Sequence, residues 1–246
     1  MSGHSKWSTI KRKKGINDAK RGKLFAKLTR AIEVAGKQGG TDPLSNAALY
    51  QAIQKAKSNS VPNQNIKNAL KRLSGGINIE NILEIYYEGY GPSGIAFYVY
   101  CITDNKNRTS SDVKALFTKN NGSLGNPGSV SYLFERKGIF ELKGDKESII
   151  SFAVENDCLD ISEQYNNIVL EVLPSQYLSL KEKIDNTEFT IIQTDIPFLP
   201  TNNIIITSKE FISVSKLIES LEELDDVQEV YTNFDLEEIE LETILK

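Results

Sequence analysis

Charge is segregated along this 246-residue chain, and that constrains its folding and partners more than any other feature. Up to Leu73 there are 16 Lys and Arg against three acids, Asp18, Glu33 and Asp42, a balance of +13. The remainder holds 13 basic and 30 acidic residues, a balance of −17, so the overall net charge of −4 conceals two oppositely charged parts. A compact domain with that excess of one sign repels itself, so a polyanion partner explains the basic end better than a solvated surface does. Apolar residues make up 39% of the chain, enough to build true cores under both parts.

Periodicity predicts helices first. Residues 1–16 are rich in cations and poor in pattern, and read as a flexible arm. From Asn17, apolar residues Leu24, Phe25, Leu28, Ile32 and Ala35 recur at spacings of three and four until Gly39-Gly40. Lys20, Lys23, Lys27 and Arg30 fall on one face of the same helix. Thr41-Asp42-Pro43 opens a second helix with Leu49, Ile53 and Ala56 inward. A third runs from Pro62 to Leu73, packing Ile66, Leu70 and Leu73, and ends at Gly75-Gly76.

After about residue 80 the pattern changes to β-branched and aromatic runs. Strands are expected at Leu83–Glu88, Ile95–Ile102 and Val130–Glu135, with a helix at Thr109–Lys119. From Gly138 the order is strand (Ile139–Leu142), helix (Lys146–Glu155), strands (Cys158–Ser162 and Ile168–Leu173), helix (Ser175–Ile184) and strand (Phe189–Thr194). That is the βαββαβ order of a ferredoxin-like unit. A strand at Ile204–Thr207, a helix at Phe211–Leu224 and a strand at Val227–Thr232 can then complete the sheet begun at Leu83–Ile102. The fold class is therefore α+β and multidomain: a three-helix domain, then two α/β sandwich domains, one ferredoxin-like and inserted into the other. The boundaries expected are 1–79 for the basic arm and helical domain, 80–137 with 201–236 for a discontinuous middle domain, 138–200 for the insert, and 237–246 for an acidic tail.

Catalytic chemistry finds little footing. Gly89-Tyr90-Gly91-Pro92-Ser93-Gly94 spells a dinucleotide fingerprint, but a strand rather than a helix follows it, so it reads as a hairpin turn. His4 is the only histidine and has no ligand or triad partner at a workable spacing. Glu219, Glu222, Glu223, Asp225 and Asp226 read as a solvated helix face and its following turn. Cys101 and Cys158 are far apart in apolar stretches and read as reduced, buried thiols. No apolar run approaches the roughly 18 residues of a membrane span, and no secretory signal is evident. The expectation is a cytoplasmic, non-enzymatic protein with no cofactor, metal, membrane or small-molecule partner.

The candidate binding residues are the cations. The arm and first helix supply Lys6, Lys11, Arg12, Lys13, Lys14, Lys20, Arg21, Lys23, Lys27 and Arg30, and the third helix adds Lys67, Lys71 and Arg72. Each cation that neutralises a phosphate releases counterions, which favours binding at low salt. Trp7 lies inside the cationic arm, where it can stack on an exposed base or anchor the arm on apolar surface. Helices two and three, joined by a short turn, resemble a helix-turn-helix with Asn63, Gln64 and Asn65 at the start of the second. Helix capping explains those three residues at least as well.

Several segments carry a family resemblance. These are Met1-Ser2-Gly3-His4-Ser5-Lys6-Trp7, Asp18-Ala19-Lys20-Arg21-Gly22-Lys23, Ala52-Ile53-Gln54-Lys55-Ala56-Lys57 and Tyr87-Glu88-Gly89-Tyr90-Gly91-Pro92. Thr103-Asp104-Asn105 with Asn107-Arg108-Thr109, Gly128-Ser129-Val130, Phe134-Glu135-Arg136-Lys137-Gly138 and Asp225-Asp226-Val227-Gln228 extend the match to both ends. The chain resembles the YebC/PmpR family, which is related to mitochondrial translational activators of cytochrome oxidase. Lys106, where an Arg is common, is a small departure. The resemblance implies three domains around a cleft and no enzyme activity. It implies a DNA-binding transcriptional regulator or, alternatively, a factor bound to ribosomal RNA and the ribosome that activates translation or relieves stalling at proline-rich stretches.

Overall fold

The computed structural model describes residues 18–74, 82–164 and 166–237. The arm expected over 1–16, the helix stop at Gly75-Gly76 and all but the first residue of the expected acidic tail lie outside them. Of Lys20 and Arg21 only the helical backbone is described.

Three helices come first: α1 (Asp18–Gly39), α2 (Ala47–Ser58) and α3 (Asn63–Ser74). Leu28 and Ile32 on α1, Leu49, Ile53 and Ala56 on α2, and Ile66 and Ala69 on α3 are buried. The second helix starts later than Asp42-Pro43 suggested. Asp42 accepts from Leu44 N at 3.0 Å and holds a turn, while Asn46 Oδ1 caps α2 by accepting from Leu49 N at 3.0 Å. The Asn46 amide also donates to the carbonyls of Ala35 and Gly40, at 2.9 and 2.8 Å, and so closes the end of α1.

The chain forms two compact units. One comprises the described residues within Met1–Val34, Ala56–Glu135 and Leu199–Lys246, the other Ala35–Lys55 and Arg136–Phe198. The first unit is built on an antiparallel sheet of order β11-β2-β1-β3, from β1 (Leu83–Tyr90), β2 (Ala96–Thr103), β3 (Ser123–Leu124) and β11 (Val227–Thr232). Helices α4 (Lys106–Lys119) and α7 (Ser208–Glu222) pack on it, and Ile206, Phe234 and Leu236 join the same core. Alternate strand residues Phe97, Val99 and Cys101 point into that core and meet Val113, Phe117, Val214 and Leu217. The rings of Phe97 and Phe117 meet edge to face at 5.7 Å. Each such side chain fully withdrawn from water contributes about 1.5–3 kcal/mol. By pairing with β2, β11 returns the chain to the sheet begun by β1 and β2.

The second unit contains β5 (Gly138–Lys143), α5 (Lys146–Glu155), β6 (Asp160–Gln164), β7 (Asn167–Val172), α6 (Tyr177–Asp185) and β8 (Thr190–Asp195). Its sheet order, β6-β7-β5-β8, with all neighbours antiparallel, is the ferredoxin-like one. Phe140 stacks on Tyr177 at 4.8 Å in its core, and Ala47 and Tyr50 of α2 pack against that core. The Tyr177 hydroxyl donates to Gln51 Oε1 at 2.7 Å, and Gln51 Nε2 donates to the Thr194 carbonyl at 2.7 Å. The short strands β4 (Phe134–Arg136) and β9 (Phe198–Pro200) pair where the chain enters and leaves this insert. Between the insert and α7 lies β10 (Ile204–Ile205), and β12 (Phe234–Asp235) runs parallel to it.

Several boundaries differ from the sequence expectation, each for a local reason. Helix α4 begins at Lys106, three residues before Thr109, because Asn105 caps it by accepting from Arg108 N. Helix α7 begins at Ser208 rather than Phe211, because Thr207 and Glu210 form a reciprocal capping box; the expected strand 204–207 is cut to two residues. The strand expected over 130–135 starts only at Phe134, after a 3-10 turn at Ser131–Leu133. The amides of Val130 and Ser131 are taken by the Glu88 carboxylate and are not available to a strand ladder. The strand expected over 158–162 starts at Asp160, because the Cys158 amide closes the end of α5 on the Ala153 carbonyl.

Candidate nucleic-acid interface and the Asp226 cleft

The glycine-rich segment forms a hairpin turn between β1 and β2, as its strand-turn-strand context predicted. Gly94 sits at φ +72, and a Cβ on Gly91 would lie 2.3 Å from the Phe97 ring. Below it, Glu88 is buried and its carboxylate accepts from three backbone amides, Gly128, Val130 and Ser131, each at 2.8 Å. Burial alone would raise the Glu88 carboxyl, but these amides outweigh it and hold it below its usual value. Glu88 therefore pins the 125–133 loop. Sequence reasoning assigned it no role, because its partners are backbone groups that no side-chain pattern announces.

The basic face of α1 does not stand open. Lys23 Nζ pairs with Asp225 Oδ1 at 3.2 Å, and Lys27 Nζ donates to the Glu222 carbonyl at 2.7 Å. Arg30 Nη1 lies 3.4 Å from Asp226 Oδ1. Three of the four aligned cations thus face the end of α7 and the acidic turn after it. The fourth, Lys20, has no described side chain.

Asp226 is the centre of this contact. Arg108 Nη2 donates to its Oδ2 at 2.7 Å and to Asp104 Oδ1 at 2.9 Å. The hydroxyls of Thr109 and Thr103 lie 2.8 and 3.2 Å from the same Oδ2. The Asp226 carbonyl accepts from Ile102 N at 2.8 Å, which fixes the turn to the end of β2. Hydrogen bonding from Arg108 lowers the Asp104 carboxyl. Asp226 is 7% exposed, which corrects the sequence reading of this acidic run as solvated along its whole length. Asp225, whose side chain is 72% exposed, fits that reading. Charge runs are usually solvated, and nothing local to 219–226 distinguishes the one acid that a distant arginine and two threonines enclose.

Around this contact lies a cleft of about 560 Å3, lined by Lys23, Arg30 and Arg108 on one side of the charge balance and Asp104, Asp112, Glu223, Asp225 and Asp226 on the other. Five acids against three cations make it a poor phosphate site as it stands. Among the described residues no group of His, Cys, Asp and Glu is arranged to hold a metal ion.

The remaining assigned cations lie on α3. Lys67 and Lys71 are exposed, one helical turn apart, and make no ion pair among the described residues. Arg72 is tied to Glu33 at 2.7 Å. Burial raises the Glu33 carboxyl despite Arg72 and Arg30. Asn63, Gln64 and Asn65 are exposed at the start of α3, and Gln64 Nε2 donates to Asn68 Oδ1 at 2.9 Å. Lys6, Trp7, Lys11, Arg12, Lys13 and Lys14 fall outside the described residues, as does the Arg21 side chain.

The two cysteines are unpaired; Cys101 is buried, whereas Cys158 is partly exposed, which corrects the sequence reading of both as buried. Burial and the nearby Asp226 charge push the Cys101 thiol up to about 12, so it stays protonated and unreactive. No described helix is long and apolar enough to cross a membrane.

Comparison with known proteins gives a consistent result. The model of the TACO1/YebC N-terminal domain matches residues 5–76, and that of the TACO1/YebC second and third domain matches residues 82–234. A protein of Natranaerobius thermophilus named "Probable transcriptional regulatory protein" is 42% identical over 249 residues, covering 99% of this chain and all of that one. A protein of the same name from Rubrobacter xylanophilus is 44% identical over 97% of both chains. The crystal structure of a conserved hypothetical protein from Aquifex aeolicus matches with a TM-score of 0.77 at 40% identity, covering 90% of this chain and 93% of that one.

Proposed function

Since this chain belongs to the TACO1/YebC family, we propose that it is a non-enzymatic regulator of gene expression that binds nucleic acid through its basic N-terminal part, with duplex DNA as the target. The observation that carries this reading is the +13 balance up to Leu73, together with two exposed lysines on α3, Lys67 and Lys71, that have no acid partner among the described residues. Its relatives' name as transcriptional regulatory proteins supports the same reading. The Asp226 cleft works as scaffold: it fixes α1 through Arg30 and leaves α3 and the chain before Asp18 to meet phosphate. Lys6, Trp7, Lys11, Arg12, Lys13, Lys14, Lys20 and Arg21 belong to that proposed interface.

A competing target is ribosomal RNA, favoured by one observation, the lone Trp7 among the arm cations, which suits an unpaired base. Crosslinking in living cells, with sequencing of both bound DNA and bound RNA, separates the two. Recovery of defined DNA sites, preferred over random duplex by a factor on the order of a thousand or more, is the expected result. Crosslinks confined to ribosomal RNA would transfer the function to translation. Absence of both kinds of crosslink would end the nucleic-acid reading.

A further inference from the structure

The acidic turn after α7 sits in a place that helix electrostatics does not favour. A helix C-terminus carries partial negative charge and attracts cations. Here Glu219, Glu222, Glu223, Asp225 and Asp226 crowd the last turn of α7 and the residues after it, with no basic residue in that turn. Their charge is answered from outside the helix, by the face of α1. Lys27 donates to the Glu222 carbonyl, as a capping cation does, and Lys23 and Arg30 pair with Asp225 and Asp226.

The contact has two parts of different strength. Arg30 and Asp226 are largely withdrawn from water, with side chains 26% and 10% exposed, and Arg108 and two threonines complete their shell. That part is architecture. Lys23 and Asp225 are 64% and 72% exposed, and a surface pair of that kind is readily exchanged. Glu223 lines the same cleft beside them.

We propose that Asp225 and Glu223 act as an intramolecular stand-in for nucleic-acid phosphate, Asp225 occupying Lys23 and both acids repelling the backbone, until a bound strand displaces Asp225. The device rests on the nucleic-acid reading above and adds to it a built-in competitor. It lowers affinity for an isolated phosphate more than for a strand, because only a strand already held elsewhere can displace Asp225 at low cost.

The test uses the full chain and fluorescence anisotropy with a labelled DNA duplex and a labelled single-stranded RNA, each about 20 units long, at about 50 and 200 mM salt. Four proteins are compared: the native one, Glu223→Gln/Asp225→Asn, Lys23→Gln, and the triple variant. Neutralising the two acids should tighten binding by about three- to tenfold at low salt when Lys23 is present, and by much less when it is Gln. The salt dependence should steepen as Lys23 joins the interface. If the native protein binds but the acid variant binds no tighter, or gains equally with and without Lys23, the competitor is overturned and the nucleic-acid reading survives. If neither binds, both fall. Binding by the acid variant alone supports both. Circular dichroism on each variant guards against unfolding, which is not expected at such exposed positions.

Discussion

Arg108 Nη2 lies 2.7 Å from Asp226 Oδ2, across 118 positions of the chain. The pair ties the first turn of α4 to the turn before β11, and Arg30 brings α1 to the same carboxylate. A single side chain thus joins two helices and the end of a sheet strand. Removing it takes a shared acceptor from two guanidinium groups and two hydroxyls, of which Arg108 keeps the exposed Asp104 and Thr109 the Asn105 carbonyl.

Asp226→Ala should accordingly cost about 2–4 kcal/mol of stability, because the donors around a buried carboxylate lose a charged acceptor. Urea denaturation followed by circular dichroism measures this. Asp225→Ala, at an exposed position, should cost under about 0.5 kcal/mol. Equal effects at the two positions would show that Asp226 is not the hub.

Glu88→Gln keeps the shape and removes the charge that three amides share, so a loss of about 2 kcal/mol is expected. The native Glu88 carboxyl lies below its ordinary value of 4.5, so its ionised form stabilises the fold. That contribution is complete above the ordinary value and is lost as pH falls through the lowered one. The difference between native and Gln proteins should be constant at neutral pH and shrink in acid, which denaturation midpoints at a series of pH values will show.

Lys67→Gln/Lys71→Gln should weaken nucleic-acid binding without changing stability, since both side chains are exposed and make no ion pair among the described residues. If each contacts one phosphate of a duplex, the slope of log K against log salt should become shallower by about 1.8. Titrations at several salt concentrations give that slope. Arg72→Gln should lower stability as well, since Arg72 faces the half-buried Glu33.

Tyr177→Phe should cost about 1–2 kcal/mol, because it strands the Gln51 carbonyl oxygen that now accepts at 2.7 Å. Tyr177 and Gln51 both belong to the second unit, so hydrogen exchange should rise first in α6 and the first half of α2.

Thiol labelling should separate the cysteines. Cys158 is partly exposed and should react slowly in the native protein. Cys101, buried beside Asp226 and protonated to about pH 12, should react only on unfolding. Mass spectrometry of labelled peptides will place each adduct.

Elements set by short-range pattern are legible in the linear chain. The periodic burial of Phe211, Val214, Leu217, Ile218 and Leu221 on α7, and of Val113 and Phe117 on α4, follows from spacing alone. The βαββαβ order of the insert is equally readable, because each strand and helix carries its own period. Boundaries are less so, since a cap such as Asn105 or Thr207 competes with apolar periodicity for the start of a helix. The Asp226 hub is not legible. Arg108, Thr103 and Thr109 are ordinary residues in the linear chain, and their meeting with Asp226 depends on β11 pairing with β2.

The sequence by itself determined the segregation of charge and the order of helices and strands, because these are sums over near neighbours and survive any arrangement in space. Only the tertiary structure decided which charges are available. Lys23, Lys27 and Arg30 read as a basic stripe on one helix face, and α7 brings its acidic end against them, while Lys67 and Lys71 remain exposed. Coulomb interactions act over a few ångströms of space, not of sequence, so the partner of a cation is fixed only when the chain has folded.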